Sequence, residues 1–214
     1  MAITPVGSLA VSNGVSTLAV SPTNIGNILV LMGPGVNSAN FQTASGGGVT
    51  TWTQIWLETN GAISVSGLWG IVTAVGASTI TVGSIAISAA DLALACQEFT
   101  GGGPGTWSSD GAGGGDIGTA ASGNYPSLTP ATANELYVAG YCSATFGVGG
   151  STAGFAYANP IGATGNERSG AFVYGVVSAA ASPAWTNGSS AFATVSWLFK
   201  FTPSSPKSGF LSFA

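Results

Sequence analysis

Short apolar runs recur along the whole chain, and each is bounded by glycine, proline, asparagine or serine. The runs are rich in β-branched and aromatic residues, and several alternate apolar with polar positions, as half-buried strands do. No window places its apolar residues on one face of a helix. We therefore predict β-strands over residues 28–32, 50–57, 67–75, 78–82, 92–99, 136–144, 171–179 and 191–201.

The two halves of the chain resemble each other segment by segment. Three segments of the first half have counterparts in the second, namely 27–30 with 134–138, 70–74 with 175–179, and 93–99 with 193–199. Shared composition among strands rich in glycine, alanine and valine is the alternative explanation. A structural repeat implies two similar strand sets that pack face to face. The expected fold is an all-β, antiparallel, two-sheet β-sandwich of jelly-roll-like form, with residues 1–201 as a single domain.

Two segments fall outside the predicted strands. Residues 101–123 are rich in glycine and poor in apolar residues, which predicts a long loop at one end of the sandwich. We expect a specific contact to be made there. Residues 202–214 form a C-terminal tail, in which Phe210, Leu211 and Phe213 are predicted to dock on a neighbouring subunit. Folding of these side chains onto their own domain is the alternative.

Charge is scarce in this chain of 214 residues. Only 5% of the residues are charged, and 3 basic against 7 acidic residues give a net charge of −4. Ordinary soluble domains carry roughly 25% charged residues, and a weakly charged surface protects poorly against association. We therefore expect partner subunits to cover part of the surface. The lack of a basic face excludes nucleic-acid binding through phosphates, and no apolar run approaches the length needed to insert in a membrane.

The residue types of common active sites are missing. The chain has no histidine, which removes the commonest general base, the serine and cysteine triads and the usual zinc ligand. Its glycine-rich segments carry no P-loop lysine. Glu98 and Glu135 lie in or beside apolar runs and are candidates for a glycosidase pair, but nothing in the sequence brings them together. We predict no catalytic residue, no cofactor, no metal and no enzymatic activity.

Three smaller features leave alternatives open. Asp110 and Asp116 flank a glycine stretch that offers calcium flexible oxygen ligands, although the spacing matches no EF-hand loop, and solvated carboxylates are the alternative. Cys96 and Cys142 each lie inside an apolar run. We expect buried thiols in neighbouring strands, with a disulfide geometrically possible. Arg168 is a candidate partner for the Glu98 carboxylate.

The tryptophans divide by their position along the chain. Trp69 and Trp197 lie in predicted strands and are expected in the core. Trp107 and Trp185 lie in loop-like segments. We expect these two rings to be exposed and to contact a ligand or a neighbouring subunit, and exposed indole rings would suit stacking on a sugar.

The order of the segments between residues 20 and 201 follows a recognisable pattern. Its parts are residues 27–30, Trp52 with Thr53, residues 68–74, residues 79–82, and a repetition in the second half that ends at residues 193–199. This pattern resembles a family of jelly-roll-like domains found in minor tail proteins and other virion proteins of phages that infect actinobacteria. The resemblance implies a virion protein without catalytic residues.

We therefore expect a structural protein of a phage particle, located in the tail. Its partners would be other virion proteins and copies of itself in a symmetric oligomer. A capsid decoration protein is one alternative. A module that adsorbs to a host-surface glycan is another.

Overall fold

The fold is built from antiparallel β-strands, as the sequence predicts. A computed structural model describes residues 2–36, 39–83, 91–144, 149–161 and 169–205. The strands in these ranges are β1 (Thr4–Asn13), β2 (Thr17–Val20), β3 (Ile28–Val36), β4 (Thr43–Gly46), β5 (Val49–Asn60), β6 (Ile63–Val72), β7 (Ser78–Gly83), β8 (Ala93–Thr100), β9 (Gly105–Asn124), β10 (Glu135–Ser143), β11 (Phe155–Ile161), β12 (Ser169–Val177) and β13 (Ala184–Pro203). Every predicted strand segment overlaps one of them. No helix in these ranges is long and apolar enough to cross a membrane.

Within the described ranges, the strands form two five-stranded sheets and one three-stranded sheet. The first large sheet has the order β1-β8-β3-β6-β5, the second has the order β11-β12-β10-β13-β9, and the small sheet has the order β2-β7-β4. The two large sheets share one hydrophobic cluster, and the small sheet covers the other face of the first large sheet through a second cluster. The predicted all-β sandwich is confirmed, and it carries this small sheet as an additional layer.

The two large sheets repeat the same strand order. The order β1-β8-β3-β6-β5 corresponds to β9-β13-β10-β12-β11, counted from the first strand of each half. The register agrees as well, because Ile28 pairs with Phe99 in the first sheet and Leu136 pairs with Phe199 in the second. These are the residues that the sequence comparison aligns. The repeat is therefore structural and does not reflect composition alone.

Each half is wound as a rolled hairpin. In the first half β1 pairs with β8, β2 with β7 and β3 with β6, which is the nested pairing of a jelly-roll-like sandwich. The second half keeps the five-stranded sheet. Among its described residues, the outer layer is represented by two isolated bridges, Leu128 with Ala181 and Gly149 with Thr186. A third apolar cluster lies beneath this layer.

Central strands bury both of their faces, which explains their continuous apolar sequences. In β3, Ile28 and Val30 face the second large sheet, whereas Leu29 and Leu31 face the small sheet. All four side chains are buried. Each burial of this kind contributes about 1.5–3 kcal/mol. The first large sheet therefore lies between two apolar layers.

The glycine-rich segment that the sequence predicts as a loop is a strand. β9 forms one edge of the second large sheet. Its glycines stand opposite aromatic residues of β13 in three pairs, Gly113 with Trp197, Gly118 with Phe192 and Gly123 with Trp185. A Cβ atom at Gly113 would lie 2.0 Å from the Trp197 ring. The prediction of a loop is wrong because large rings of the neighbouring strand cover the glycines, which stabilises them in a sheet.

The two cysteines are buried, and their thiols are not joined in a disulfide. The expectation that they lie in neighbouring strands is wrong, because Cys96 belongs to β8 and Cys142 to β10, in different sheets. Cys96 faces the small sheet and Cys142 faces the first large sheet. Burial, and secondarily the Glu98 carboxylate, raises the pKa of the Cys96 thiol. A buried protonated thiol is a poor nucleophile.

Candidate functional site

The two tryptophans predicted to be exposed are buried. Trp107 is 7% exposed and Trp185 is 1% exposed. The Trp107 ring lies 5.1 Å from the Phe201 ring, and the Trp185 ring lies 4.5 Å from the Phe192 ring. The expected exposure is wrong because both residues lie in the strand pair β9–β13, not in loops. Their ring faces already contact other aromatic rings and offer no open platform for a sugar.

Other predicted site residues lie beyond the described ranges. Phe210, Leu211 and Phe213 are in this group, so their docking on a neighbouring subunit stays a prediction. Arg168 also lies outside, and its pairing with Glu98 stays a prediction too. Trp69 and Trp197, predicted for the core, are half-buried at the margin of the cluster between the two large sheets.

Glu98 holds the turn that precedes β3. Its carboxylate accepts hydrogen bonds from the backbone N–H of Thr23 at 3.1 Å, from that of Asn24 at 3.4 Å, and from the Asn27 side-chain amide at 2.6 Å. The carboxylate is buried, with the residue 7% exposed. A buried charge needs such donors to offset its lost hydration. The group is therefore used for structure.

Glu135 holds the equivalent turn before β10. Its Oε1 atom accepts hydrogen bonds of 2.7 Å from both the backbone N–H and the hydroxyl of Thr132. The residue is fully buried, and its Oε2 atom has no hydrogen-bond partner in the described part of the chain. The two carboxylates thus serve corresponding turns in the two halves. In the described ranges, no three His, Cys, Asp or Glu residues are grouped closely enough to hold a metal ion.

The acidic residues of the glycine stretch lie on β9. Asp110 accepts a hydrogen bond of 3.0 Å from the backbone N–H of Ala131, and Asp116 is exposed. The calcium alternative depended on a flexible backbone between them. Residues 113–116 of that backbone are paired with β13, whereas residues 110–112 interrupt the register. The paired residues therefore do not offer the flexible oxygen donors on which the calcium alternative was based.

A pair of aromatic contacts joins the two large sheets at one end. The rings of Trp69 and Phe199 lie 5.2 Å apart, and those of Tyr174 and Phe99 lie 5.1 Å apart. Trp69 pairs with Val30 just as Tyr174 pairs with Val138 in the other half. The two contacts therefore occupy equivalent places in the repeat.

A groove lies beside each of these contacts. The first, which we call the threonine groove, has a volume of about 320 Å³ and is lined by Thr50, Thr51, Thr53, Trp69, Gly70, Ile71 and Thr73. The second, which we call the apolar groove, has a volume of about 260 Å³ and is lined by Ile3, Pro5, Phe99, Leu136, Gly154, Ala156, Tyr174, Gly175 and Val176. Trp52 pairs with Gly70 and Phe155 pairs with Gly175. This register makes Gly154 the counterpart of Thr51 and Ala156 the counterpart of Thr53.

The two grooves differ in their chemistry. The four threonines of the first are exposed. The hydroxyls of Thr50 and Thr73 are 2.9 Å apart, and that of Thr73 also donates to the Gly48 carbonyl at 3.1 Å. The second groove has no hydroxyl at the positions of Gly154 and Ala156, and Ile3 and Pro5 are also part of its lining. None of the described residues that line either groove is charged.

A third cavity lies beside β1. Its volume is about 230 Å³, and its lining includes Cys96 and Glu98. Both side chains are buried, and the Glu98 carboxylate already accepts several hydrogen bonds. The cavity therefore presents neither a thiolate nor a free carboxylate to a substrate.

Comparison with protein-family models, with curated proteins and with solved structures found no match. The threonine groove is absent from the predictions made from the sequence. Its threonines are visible there only as ordinary strand residues of the segment 50–57.

Proposed function

We propose that this protein is a non-enzymatic structural component of a phage particle, a minor tail protein that assembles as a symmetric oligomer. The observation that carries the assembly role is the long edge strand β9. The resemblance to virion domains noted in the sequence supports its location in a phage tail. The scarcity of charge supports the covering of its surface by partners.

β9 extends over 20 residues and, in the part of the chain that the structure describes, has a strand neighbour on one side only. An edge strand presents unpaired backbone N–H and C=O groups, and monomeric proteins protect such edges with lysine, proline, β-bulges or short length. β9 contains no lysine and no proline, and although its register with β13 is interrupted at residues 110–112, it is continuous over residues 113–120. Its Ile117 side chain is 48% exposed. These features favour pairing with another strand.

The partner that we propose is β9 of a second copy. Two identical edges can pair antiparallel about a two-fold axis, so that each copy gives the same surface and the contact closes. The many glycines of β9 leave few side chains in the way of a second backbone. Such pairing would join the second large sheets of two copies into one continuous sheet.

Sedimentation velocity over a range of protein concentrations tests the assembly. The unaltered protein should form dimers or larger oligomers. The double variant Ile117→Lys/Thr119→Lys places two charges on the exposed side of β9 and should shift the protein to monomer. The matched control is Thr79→Lys/Thr81→Lys on β7, where the same charges lie on exposed positions of a strand flanked on both sides. A monomer in the unaltered protein, or equal behaviour of the two variants, would count against this contact.

The particle role is tested separately. Purified phage particles from the source of the gene would be analysed by mass spectrometry, and gold-labelled antibody would locate the chain by electron microscopy. Label on the tail is the expected result. Label on the head would support the capsid decoration alternative, and absence of the chain from particles would refute a virion role.

A further inference from the structure

We propose that the threonine groove binds a neutral saccharide. The groove is formed by β5 and β6 at the end of the first large sheet. This inference does not depend on the assembly role, because the groove includes no residue of β9. It also differs from a sugar site at Trp107 and Trp185, whose rings are buried.

A feature that occurs at the same place in both halves is required by the fold. A feature that occurs in only one half can serve a function. The contact between Trp69 and Phe199 recurs as the contact between Tyr174 and Phe99. A glycine also recurs, with Gly70 and Gly175 in corresponding places. A Cβ at Gly70 would lie 2.3 Å from the Val49 side chain, so its identity is a packing requirement. Features found in both halves are therefore explained by the fold.

The hydroxyls of Thr51 and Thr53 are not explained in this way, whereas the hydroxyl of Thr73 has a counterpart in Ser178. The counterparts of Thr51 and Thr53 are Gly154 and Ala156, so the same fold forms without hydroxyls at these places. Thr51 and Thr53 are exposed, whereas Ile55 farther along the same strand is buried between the large sheets. The two threonines thus lie where the second large sheet no longer covers the first. Their side chains face the groove and solvent.

The lining has the chemistry that a sugar requires. Threonine hydroxyls both donate and accept hydrogen bonds, as sugar hydroxyls do. The half-buried Trp69 indole borders the groove, and its N–H donates to no acceptor in the described part of the chain. An aromatic surface beside a few polar groups is typical of small-molecule sites, and the volume of about 320 Å³ lies at the lower end of their range.

Because the described lining residues carry no charge, the groove favours neutral saccharides over acidic ones. Among the described residues, no basic side chain lines the groove to pair with a carboxylate or sulfate, and the chain has a net charge of −4. An acidic saccharide would lose hydration without gaining an ion pair. A neutral saccharide loses less hydration free energy on binding, and it can exchange its hydrogen bonds to water for hydrogen bonds to the threonines. The groove therefore fits one short neutral segment of a glycan.

Nuclear magnetic resonance of protein labelled with ¹⁵N in the tryptophan indoles tests this site. The Trp69 indole signal would be assigned with Trp69→Phe. The probes are chitotriose, cellotriose and maltotriose as neutral trisaccharides, and trigalacturonate as an acidic one. The Trp69 signal should shift saturably with at least one neutral probe and should not respond to trigalacturonate.

The variant Thr51→Val/Thr53→Val keeps the shape of the groove and removes two hydroxyls. It should weaken binding by about tenfold or more, because two hydrogen bonds to the saccharide are lost. The control Thr79→Val/Thr81→Val makes the same change on exposed positions of β7 and should bind as the unaltered protein does. Circular dichroism would verify that both variants fold. Failure of every neutral probe to shift the Trp69 signal, equal affinity in both variants, or equal binding of trigalacturonate would overturn the proposal.

Discussion

The rings of Trp69 and Phe199 pack against each other across the two large sheets, with centroids 5.2 Å apart. The second half repeats this relationship with Tyr174 and Phe99 at 5.1 Å. Aromatic pairs of this kind contribute about 0.5–1.5 kcal/mol beyond the burial of their area. The sandwich is therefore closed at this end by two equivalent contacts.

We expect Phe199→Ala and Phe99→Ala to destabilise the protein by similar amounts. Both rings are fully buried, and loss of a buried phenylalanine costs about 3–5 kcal/mol. The free energy of unfolding from urea denaturation would give both values. A double-mutant cycle of Phe199→Ala with Trp69→Ala should give a coupling of about 0.5–1.5 kcal/mol. A coupling near zero would show that the ring contact is incidental.

A second prediction concerns the glycines of β9. Gly113→Ala would place a Cβ 2.0 Å from the Trp197 ring, whereas Gly118→Ala would place one 3.0 Å from the Phe192 ring. We expect Gly113→Ala to destabilise by about 1–3 kcal/mol, as overpacking does, and Gly118→Ala to cost clearly less. Thermal unfolding of both variants would rank them.

Removal of the Trp197 ring provides the control for the Gly113→Ala prediction. Combining Gly113→Ala with Trp197→Ala removes the obstacle, so the double variant should be less destabilised than the sum of the two single changes. Additive effects would mean that the Trp197 ring does not occupy the space above Gly113.

The segment that forms β9 was predicted as a loop because its strand state depends on residues far away in the sequence. The strands β3 and β10 are predictable because their apolar runs carry the signal locally. The strand state of Gly113 depends on Trp197, which lies far along the chain and covers it only after the sheet has formed. No local pattern contains that information. The misplacement of Trp107 and Trp185 follows from the same error.

The threonine groove was beyond prediction for a related reason. Thr51 and Thr53 are visible in the sequence as residues of a strand, and their alternation with Trp52 indicates a shared face. Whether that face is covered depends on how far the second large sheet extends over the first. The aligned repeat does hold one usable signal, because the counterparts of these threonines in the second half lack hydroxyls.

A third prediction concerns two buried tyrosines. The Tyr125 hydroxyl is buried without a hydrogen-bond partner in the described part of the chain. The Tyr137 hydroxyl is 2.7 Å from the Ser196 hydroxyl and donates to the Pro126 carbonyl at 2.8 Å. Tyr125→Phe should therefore leave stability unchanged or raise it, whereas Tyr137→Phe should lower it by about 1–2 kcal/mol. Urea denaturation would measure both, and a loss in Tyr125→Phe as large as that in Tyr137→Phe would contradict the assignment.

The fourth prediction is a loss of stability at alkaline pH. Burial raises the pKa of the Cys96 thiol and that of the Tyr125 hydroxyl in the folded protein. Both groups lose their protons more readily in the unfolded chain, near pH 8.5 for cysteine and about pH 10 for tyrosine. The stability that they contribute is therefore complete below about pH 8.5 and declines as the pH rises above it, by about 1.4 kcal/mol per pH unit for each group that titrates only in the unfolded chain.

Denaturation in urea at a series of pH values from neutral to alkaline would reveal this decline. The variant Cys96→Val removes the first of the two groups with little change of shape. Its free energy of unfolding should fall less steeply just above pH 8.5 than that of the unaltered protein, while the decline near pH 10 remains. The same slope in both proteins would mean that Cys96 ionises as readily in the folded state as in the unfolded chain, which is incompatible with its burial between the first large sheet and the small sheet.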